Sequence, residues 1–228
     1  MECKETTKTA MNILFIGKQG DKNAIIAGEY VKQIFPNSLI IFGKRGDKLP
    51  EDLNFWKGDY IFSYLSPWII PQSLLNRAKY GGINWHPGPP EYPGIGCTNF
   101  AVYNNEETFG ITCHYMNGKV DTGKIIEVKG FRILENDTVY SITQKCYSLI
   151  IVSFYQVIDH IIHGHRPILP SGESWKREPY TRKELNELCE IKADMTDKEI
   201  DRRIKATTYD KPWAVVNVKG KKFYYREY

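Results

Sequence analysis

The chain has 228 residues, 42% of them hydrophobic, and a formal net charge of +4. That length and content suit one sizeable core with a small appendage and make two full domains a squeeze. The charge is mild and the basic residues are dispersed except at Lys219, Lys221 and Lys222, which argues against a nucleic-acid stripe and disfavours a tRNA substrate while still attracting small anions.

The first ten residues are polar and contain no signal-like apolar run. No later segment reads as long enough to span a bilayer, so the protein is expected in the cytoplasm, with no membrane partner. Cys3, Cys97, Cys113, Cys146 and Cys189 are odd in number and lack a Cys-x-x-Cys spacing, which predicts reduced thiols.

Residues 12–17 read as a buried strand, followed by a helix over about 22–35, like the opening of a nucleotide-binding α/β unit. Strands follow at 39–42 and 60–64, then a helix over 71–79 with Pro71 in its first turn, leading into Gly82-Ile83-Asn84. Short apolar strands separated by helices predict a mostly parallel sheet covered on both faces, with sites at the strands' carboxyl ends. The turn after the first strand, Gly17-Lys18-Gln19-Gly20-Asp21, lacks the full dinucleotide fingerprint, yet Lys18 could meet a phosphate.

The most informative stretch runs from Ile83 to Gly94. Residues two apart on an extended segment share a side, so Asn84 and His86 project together while Trp85 faces away. Pro87, Pro89, Pro90 and Pro93 stiffen the loop, and Gly88 and Gly94 allow close backbone approach. An imidazole exchanges a proton near neutral pH and an amide donates to a developing oxyanion, the two services that acyl transfer to an amine requires.

A helix is expected over 97–105, and strands at 111–116 and 124–128 flank a Gly-rich turn carrying Asp121. An Asp in a turn commonly bonds its own backbone. A long helix over 137–163 places Val139, Ile142, Cys146, Leu149, Ile150 and Phe154 on one core-facing side. His160, His163 and His165 lack a completing carboxylate spacing, so no metal is expected. Residues 167–179 mark a boundary, giving a catalytic domain over 1–170 and an appendage over 171–228 with a capped helix at 196–205 and a hairpin of 214–218 and 222–225 turned at Lys219-Gly220. Tyr209 and Trp213 either stack on a nucleobase or seal this tail against the core. The aromatic hairpin, with Phe223, Tyr224 and Tyr225, offers an edge for homodimer pairing.

Taken together, the Asn84-Trp85-His86-Pro87 loop and the run Gly110-Ile111-Thr112-Cys113-His114…Asp121-Thr122-Gly123 resemble the folate-dependent formyltransferase family over roughly the first three quarters of the chain. The resemblance implies a Rossmann-like domain, 10-formyltetrahydrofolate as cosubstrate, and Asn84, His86 and Asp121 as the catalytic trio. Asn84 and protonated His86 would stabilise the oxyanion, Asp121 would hold His86 or relay the amine proton, and His114 would be a structural supporter. It further implies a pterin held near Ser66, Trp68, Ile69, Ile70 and Val120. Lys18, Pro93, Gly94, Tyr209 and Trp213 are candidates for contact with the acceptor substrate.

Methionyl-tRNA and glycinamide ribonucleotide enzymes of the family usually follow His-Pro with Ser or Ala and two leucines, where this chain has Gly88-Pro89-Pro90. With the continuation Ile95-Gly96-Cys97-Thr98-Asn99-Phe100-Ala101, the chain looks like the sugar N-formyltransferases, which implies a nucleotide-linked amino sugar as acceptor, such as dTDP-4-amino-4,6-dideoxyglucose, for surface polysaccharide synthesis. Phosphoribosylglycinamide formylation and a non-catalytic folate- or nucleotide-sugar-binding module remain the alternatives.

Overall fold

The computed structural model describes residues 10–208 and 213–225. Six strands form the main sheet in the order β2-β1-β3-β4-β5-β6: β1 (Ile13–Lys18), β2 (Leu39–Gly43), β3 (Tyr60–Tyr64), β4 (Gly82–His86), β5 (Thr108–Tyr115) and β6 (Ile125–Arg132). Strands β2, β1, β3 and β4 run parallel, and β4 pairs antiparallel with β5. The expected parallel-rich α/β sheet with flanking helices is the architecture found.

The chain divides into two compact units, one drawn from Met1–His86, Thr112–Glu127 and Ile150–Ser174, the other from Pro87–Ile111, Val128–Leu149 and Trp175–Tyr228. The C-terminal segment from Trp175 onward thus shares its unit with residues 87–111 and 128–149.

In the first unit the strands are apolar on both sides because both sides are covered. On one side Phe15, Phe62, Tyr64 and Trp85 surround Phe154 of helix α4 (Val139–Ile162), with ring centroids 5.0–6.2 Å apart. Helix α1 (Lys22–Ile34) lies on this side too. It is capped by Asp21, which accepts from the Ala24 N–H at 2.9 Å, and it presents small residues, Ala24, Ala27 and Gly28, to the strands. On the other side Leu14, Ile16 and Ile61 pack with Leu53, Ile70, Leu74, Leu75 and Ala78.

Helix α2 is only Gln72–Leu75, shorter than the 71–79 expected. The chain is pulled out of helical register where the Gly58 N–H donates to Arg77 O at 3.2 Å and the Lys79 N–H to Gly58 O at 2.8 Å. The expectation that no later segment could span a bilayer is also corrected: α4 has the length and apolar composition to do so. Its apolar stripe is spent on the protein interior, with Ile142, Cys146, Ile150, Phe154, Ile158 and Ile161 fully buried.

In the second unit α3 (Cys97–Asn104) packs on α6 (Asp197–Thr207): the Asn99 amide donates to Ala206 O at 2.7 Å and the Tyr103 hydroxyl to Glu199 at 2.8 Å. Two elements were not anticipated, α5 (Arg182–Cys189) and β7 (Glu190–Ile191). Strand β7 joins the hairpin of β8 (Val215–Val218) and β9 (Lys221–Tyr224) to make a three-stranded sheet in the order β7-β8-β9.

Candidate functional site

Alternation along β4 decides which side chains can react. Trp85, 1% exposed, turns into the aromatic core and donates from Nε1 to Ser153 Oγ at 2.9 Å. Asn84 and His86 therefore face the opposite side of the sheet, at the carboxyl end of the parallel strands. In the adjoining strand His114 stands directly opposite Asn84 and Thr112 opposite His86.

Four polar side chains converge there. His86 Nδ1 is 3.1 Å from Asp121 Oδ2, His114 Nε2 is 3.3 Å from Asp121 Oδ1, and the Asn84 amide nitrogen is 3.1 Å from His114 Nε2. The two imidazoles and the carboxylate are buried. His114 Nδ1 lies 2.8 Å from the carbonyl oxygen of Tyr115, which can only accept, so Nδ1 carries hydrogen. Nε2 faces both the Asn84 amide nitrogen at 3.1 Å and Asp121 Oδ1 at 3.3 Å, so the ring links the amide to the carboxylate. His86 turns Nδ1 toward Asp121 Oδ2, so the carboxylate orients the ring. The arrangement sets an amide beside an imidazole oriented by a carboxylate, groups able to stabilise an oxyanion and to move a proton, in surroundings where electrostatic contacts are strong.

A strained turn holds Asp121 in place. Its backbone is left-handed, φ 41°, a conformation that costs a non-glycine residue free energy and persists only where neighbours enforce it. The enforcing contacts come from Asn117, whose side-chain oxygen accepts from the Lys119 N–H at 3.2 Å and the Thr122 hydroxyl at 2.8 Å. The next turn of chain is pinned by the Met116 N–H to Gly82 O bond at 2.8 Å and the Tyr115 N–H to Lys124 O bond at 2.9 Å. Asn117 was not singled out in the sequence, though an Asn ahead of Gly is a turn signal. Val120, in the same turn, is 41% exposed.

The other cofactor candidates occupy the loop after β3, which opens on Leu65, another left-handed residue (φ 52°). Ser66 Oγ accepts from the Trp68 N–H at 3.1 Å, and Trp68 Nε1 donates to Asp47 O at 2.9 Å. Ile69 is 67% exposed, whereas Ile70 is buried in the core.

The proposed substrate contacts are distributed between the units. Lys18 ends β1, exposed, in register with Gly43 of β2. Pro93 and Gly94 belong to the second unit, where Pro93 O accepts from the Tyr180 N–H at 2.8 Å. A Cβ on Gly94 would stand 2.4 Å from Tyr180 O, and that approach accounts for the glycine. Trp213 packs edge-on to Tyr224, centroids 6.4 Å apart. Tyr209 lies outside the described residues. His160 and His165 have ring centroids 5.6 Å apart and His163 pairs with Asp159, and among the described residues no group of three His, Cys, Asp or Glu could hold a metal.

The fold and this constellation define a Rossmann-like α/β protein with a half-buried amide beside buried imidazoles and a carboxylate at the carboxyl end of its parallel strands. Residues 43–157 match the formyl transferase family, and the chain belongs to that family. It is 29% identical over 168 residues to GDP-perosamine N-formyltransferase of Brucella melitensis, covering 73% of this chain and 63% of that one. Its fold is similar to that of a sugar N-formyltransferase from Shewanella (TM-score 0.75, 18% identity, 96% of this chain and 98% of that one). It is also similar to that of an N-formyltransferase from Helicobacter canadensis in complex with folinic acid and dTDP-3-aminofucose (TM-score 0.69, 20% identity, 91% and 84%). The chain spans 14% to 63% of the lengths of the first curated relatives it matches, which include methionyl-tRNA formyltransferases.

Proposed function

We propose that the protein transfers the formyl group of 10-formyltetrahydrofolate to the amino group of a nucleotide-linked amino sugar, with dTDP-4-amino-4,6-dideoxyglucose as the preferred acceptor and surface polysaccharide as the destination. The observation that carries this reading is the convergence of Asn84, His86 and Asp121 within hydrogen-bonding reach of one another and of His114, in a chain of the formyl transferase family. The complex of the Helicobacter canadensis relative supports both ligand classes.

The cosubstrate supplies an activated formyl carbon, and the residues do the rest. The Asn84 amide hydrogen turned away from His114 stabilises the oxyanion that develops as the amine attacks. His86 Nε2 donates to the same oxygen and moves the proton, while Asp121 on Nδ1 holds the ring in orientation. The amine nitrogen gains the new C–N bond, the bond from the formyl carbon to N10 breaks, one proton leaves the amine and one reaches N10. No metal takes part in this scheme. On the same reading the protein works in the cytoplasm as a homodimer paired along β9.

The test is incubation with 10-formyltetrahydrofolate and the dTDP-sugar, with glycinamide ribonucleotide in parallel, followed by mass spectrometry. A formyl gain on the sugar alone is the expected result. Gain on the ribonucleotide moves the protein to purine synthesis, and folate binding without turnover of any amino sugar makes it a binding module.

A further inference from the structure

The face of the sheet turned away from the reacting groups holds a line of polar contacts that the chemistry does not use. Trp85, between Asn84 and His86 on β4, is ringed by Phe62, Tyr64 and Phe154 at centroid distances of 6.0, 6.5 and 5.0 Å. Within that aromatic surround its Nε1–H donates to Ser153 Oγ at 2.9 Å, and the Ser153 hydroxyl in turn donates to Glu127 Oε1. The indole and the serine are both fully buried. The three residues come from β4, α4 and β6. The contacts thus reach over β5, where Cys113 stands opposite Trp85, and tie β4 to the strand beyond.

Stability alone does not call for polar groups here. Burying them among aromatic rings costs free energy that their hydrogen bonds only recover, and apolar replacements of the same shape are commonly neutral. What the bonds add is direction. Ring packing resists separation yet lets a flat indole slide in its own plane, whereas its single N–H fixes it at one point. Serine has one hydroxyl hydrogen, and with that hydrogen on Glu127 its lone pairs are left facing Trp85. Glu127 therefore sets the hydroxyl, the hydroxyl sets the indole, and the indole sets the roll of β4. Because Cβ atoms alternate along a strand, a roll that moves Trp85 swings Asn84 and His86 the opposite way, relative to His114 and Asp121.

We propose that Glu127 and Ser153 are positioning residues that act through Trp85 to aim the Asn84 amide and the His86 ring across the sheet. This rests on the reading of Asn84 and His86 as the groups that stabilise the oxyanion and move the proton. All the residues concerned lie in the same compact unit. The path is short, because Trp85 is covalently joined to both neighbours and a shift of the indole reaches them with no intervening contact. An error of about 1 Å at reacting atoms costs on the order of a hundredfold in rate, so a partial loss of alignment should cost about tenfold.

The experiment joins steady-state formyl transfer from 10-formyltetrahydrofolate to the dTDP-sugar with nuclear magnetic resonance of the Asn84 side-chain amide and the His86 ring, in the whole protein. Ser153→Ala and Trp85→Phe are each expected to lower kcat about tenfold at unchanged KM, with the Asn84 and His86 signals displaced. The double variant should be no slower than the slower single one, because both changes remove the same bond. Glu127→Ala should act in the same way, and Glu127→Gln, which keeps an acceptor for the hydroxyl, should recover most of the lost rate; these two variants carry the test if Trp85→Phe does not fold. A fall in melting temperature with kcat and both signals at wild-type values would overturn the proposal while leaving formyl transfer standing. So would losses that multiply in the double variant, or a Glu127→Gln no faster than Glu127→Ala. A wild type that formylates no amine would overturn the functional reading instead, and displaced or unmoved Asn84 and His86 signals would then decide the positioning role by themselves.

Discussion

The Nε2 atom of His114 lies 3.1 Å from the side-chain nitrogen of Asn84 and 3.3 Å from Asp121 Oδ1, while its other ring nitrogen donates to Tyr115 O. On the proposed mechanism His114 is a positioning residue for the Asn84 amide. Replacing it with Phe removes the polar contacts to Asn84 and Asp121, and misplacement by about 1 Å costs on the order of a hundredfold in rate. His114→Phe is expected to lower kcat by roughly ten- to a hundredfold with little change in KM for the amine, read by steady-state kinetics. A KM effect alone would show that the ring only supports packing.

Removing the donor itself should cost more. Asn84→Ala is expected to lose on the order of a hundred- to a thousandfold in kcat. Asp121→Asn keeps the shape of the carboxylate and disturbs the hydrogen bond that orients His86, and a loss of similar size is expected. Near-wild-type turnover in either variant, with an unchanged circular dichroism spectrum, would contradict the assigned roles.

The turn carrying Asp121 has its own weak point. A Cβ on Gly123 would stand 1.6 Å from the carbonyl oxygen of Tyr115, a backbone atom that cannot swing aside. Gly123→Ala must shift the turn, so activity should collapse together with a fall in melting temperature. Gly118 offers a comparison: φ is 78° and its nearest neighbour is the end of Gln72. Gly118→Ala should cost about 1–2 kcal/mol, a few degrees of melting temperature for a chain of this size, with activity largely kept.

Stability should fall in acid through identifiable carboxylates of the second unit. The Arg203 guanidinium, with help from the Tyr103 hydroxyl, holds Glu199 below its ordinary range. Burial pushes Asp137 up, but the Leu134 N–H, Lys145 and Ser141 overcome it and leave the net shift downward. A lowered folded-state value means that the contribution is present above the unfolded value and is lost as pH falls through the folded one. Melting temperatures measured from pH 6 to pH 3 should drop below about pH 4, the ordinary carboxylate range, and Glu199→Gln should flatten part of that drop.

The hairpin invites self-association. Strand β9 is the edge of its sheet, and Phe223, Tyr224 and Val218 are 58%, 53% and 51% exposed. A sheet edge left open pairs readily, and on β9 the aromatic half, Phe223 and Tyr224, offers that edge beside Lys221 and Lys222. Light scattering at micromolar concentration should report a dimer, and Phe223→Lys should shift it to monomer.

Much of the site was legible because its chemistry sits on adjacent or regularly spaced residues. Period-two alternation separates Asn84 and His86 from Trp85 without any knowledge of the fold. The placement of His114 was not legible, since it depends on β5 pairing with β4 at a register set by long-range contacts. Helix α5 was missed because its eight residues are mostly polar, although Thr181 and Glu184 spell a capping box that could have revealed it. Helix α2 was overextended because the pull of Gly58 on residues 77–79 is invisible locally. The length and apolar content of α4 were underestimated as a membrane-like signal, which only the burial of its stripe resolves.

His86 and Asp121 stand thirty-five positions apart, and they meet only after the chain has reversed from β4 into β5 and closed the turn beyond it. No local fragment contains the pair, so the entropy of closing that long loop must be met before the contact between them forms. On refolding from denaturant, the aromatic cluster around Phe154 and the bond between His86 and Asp121 are separate milestones, and returning turnover will keep time for the second of them.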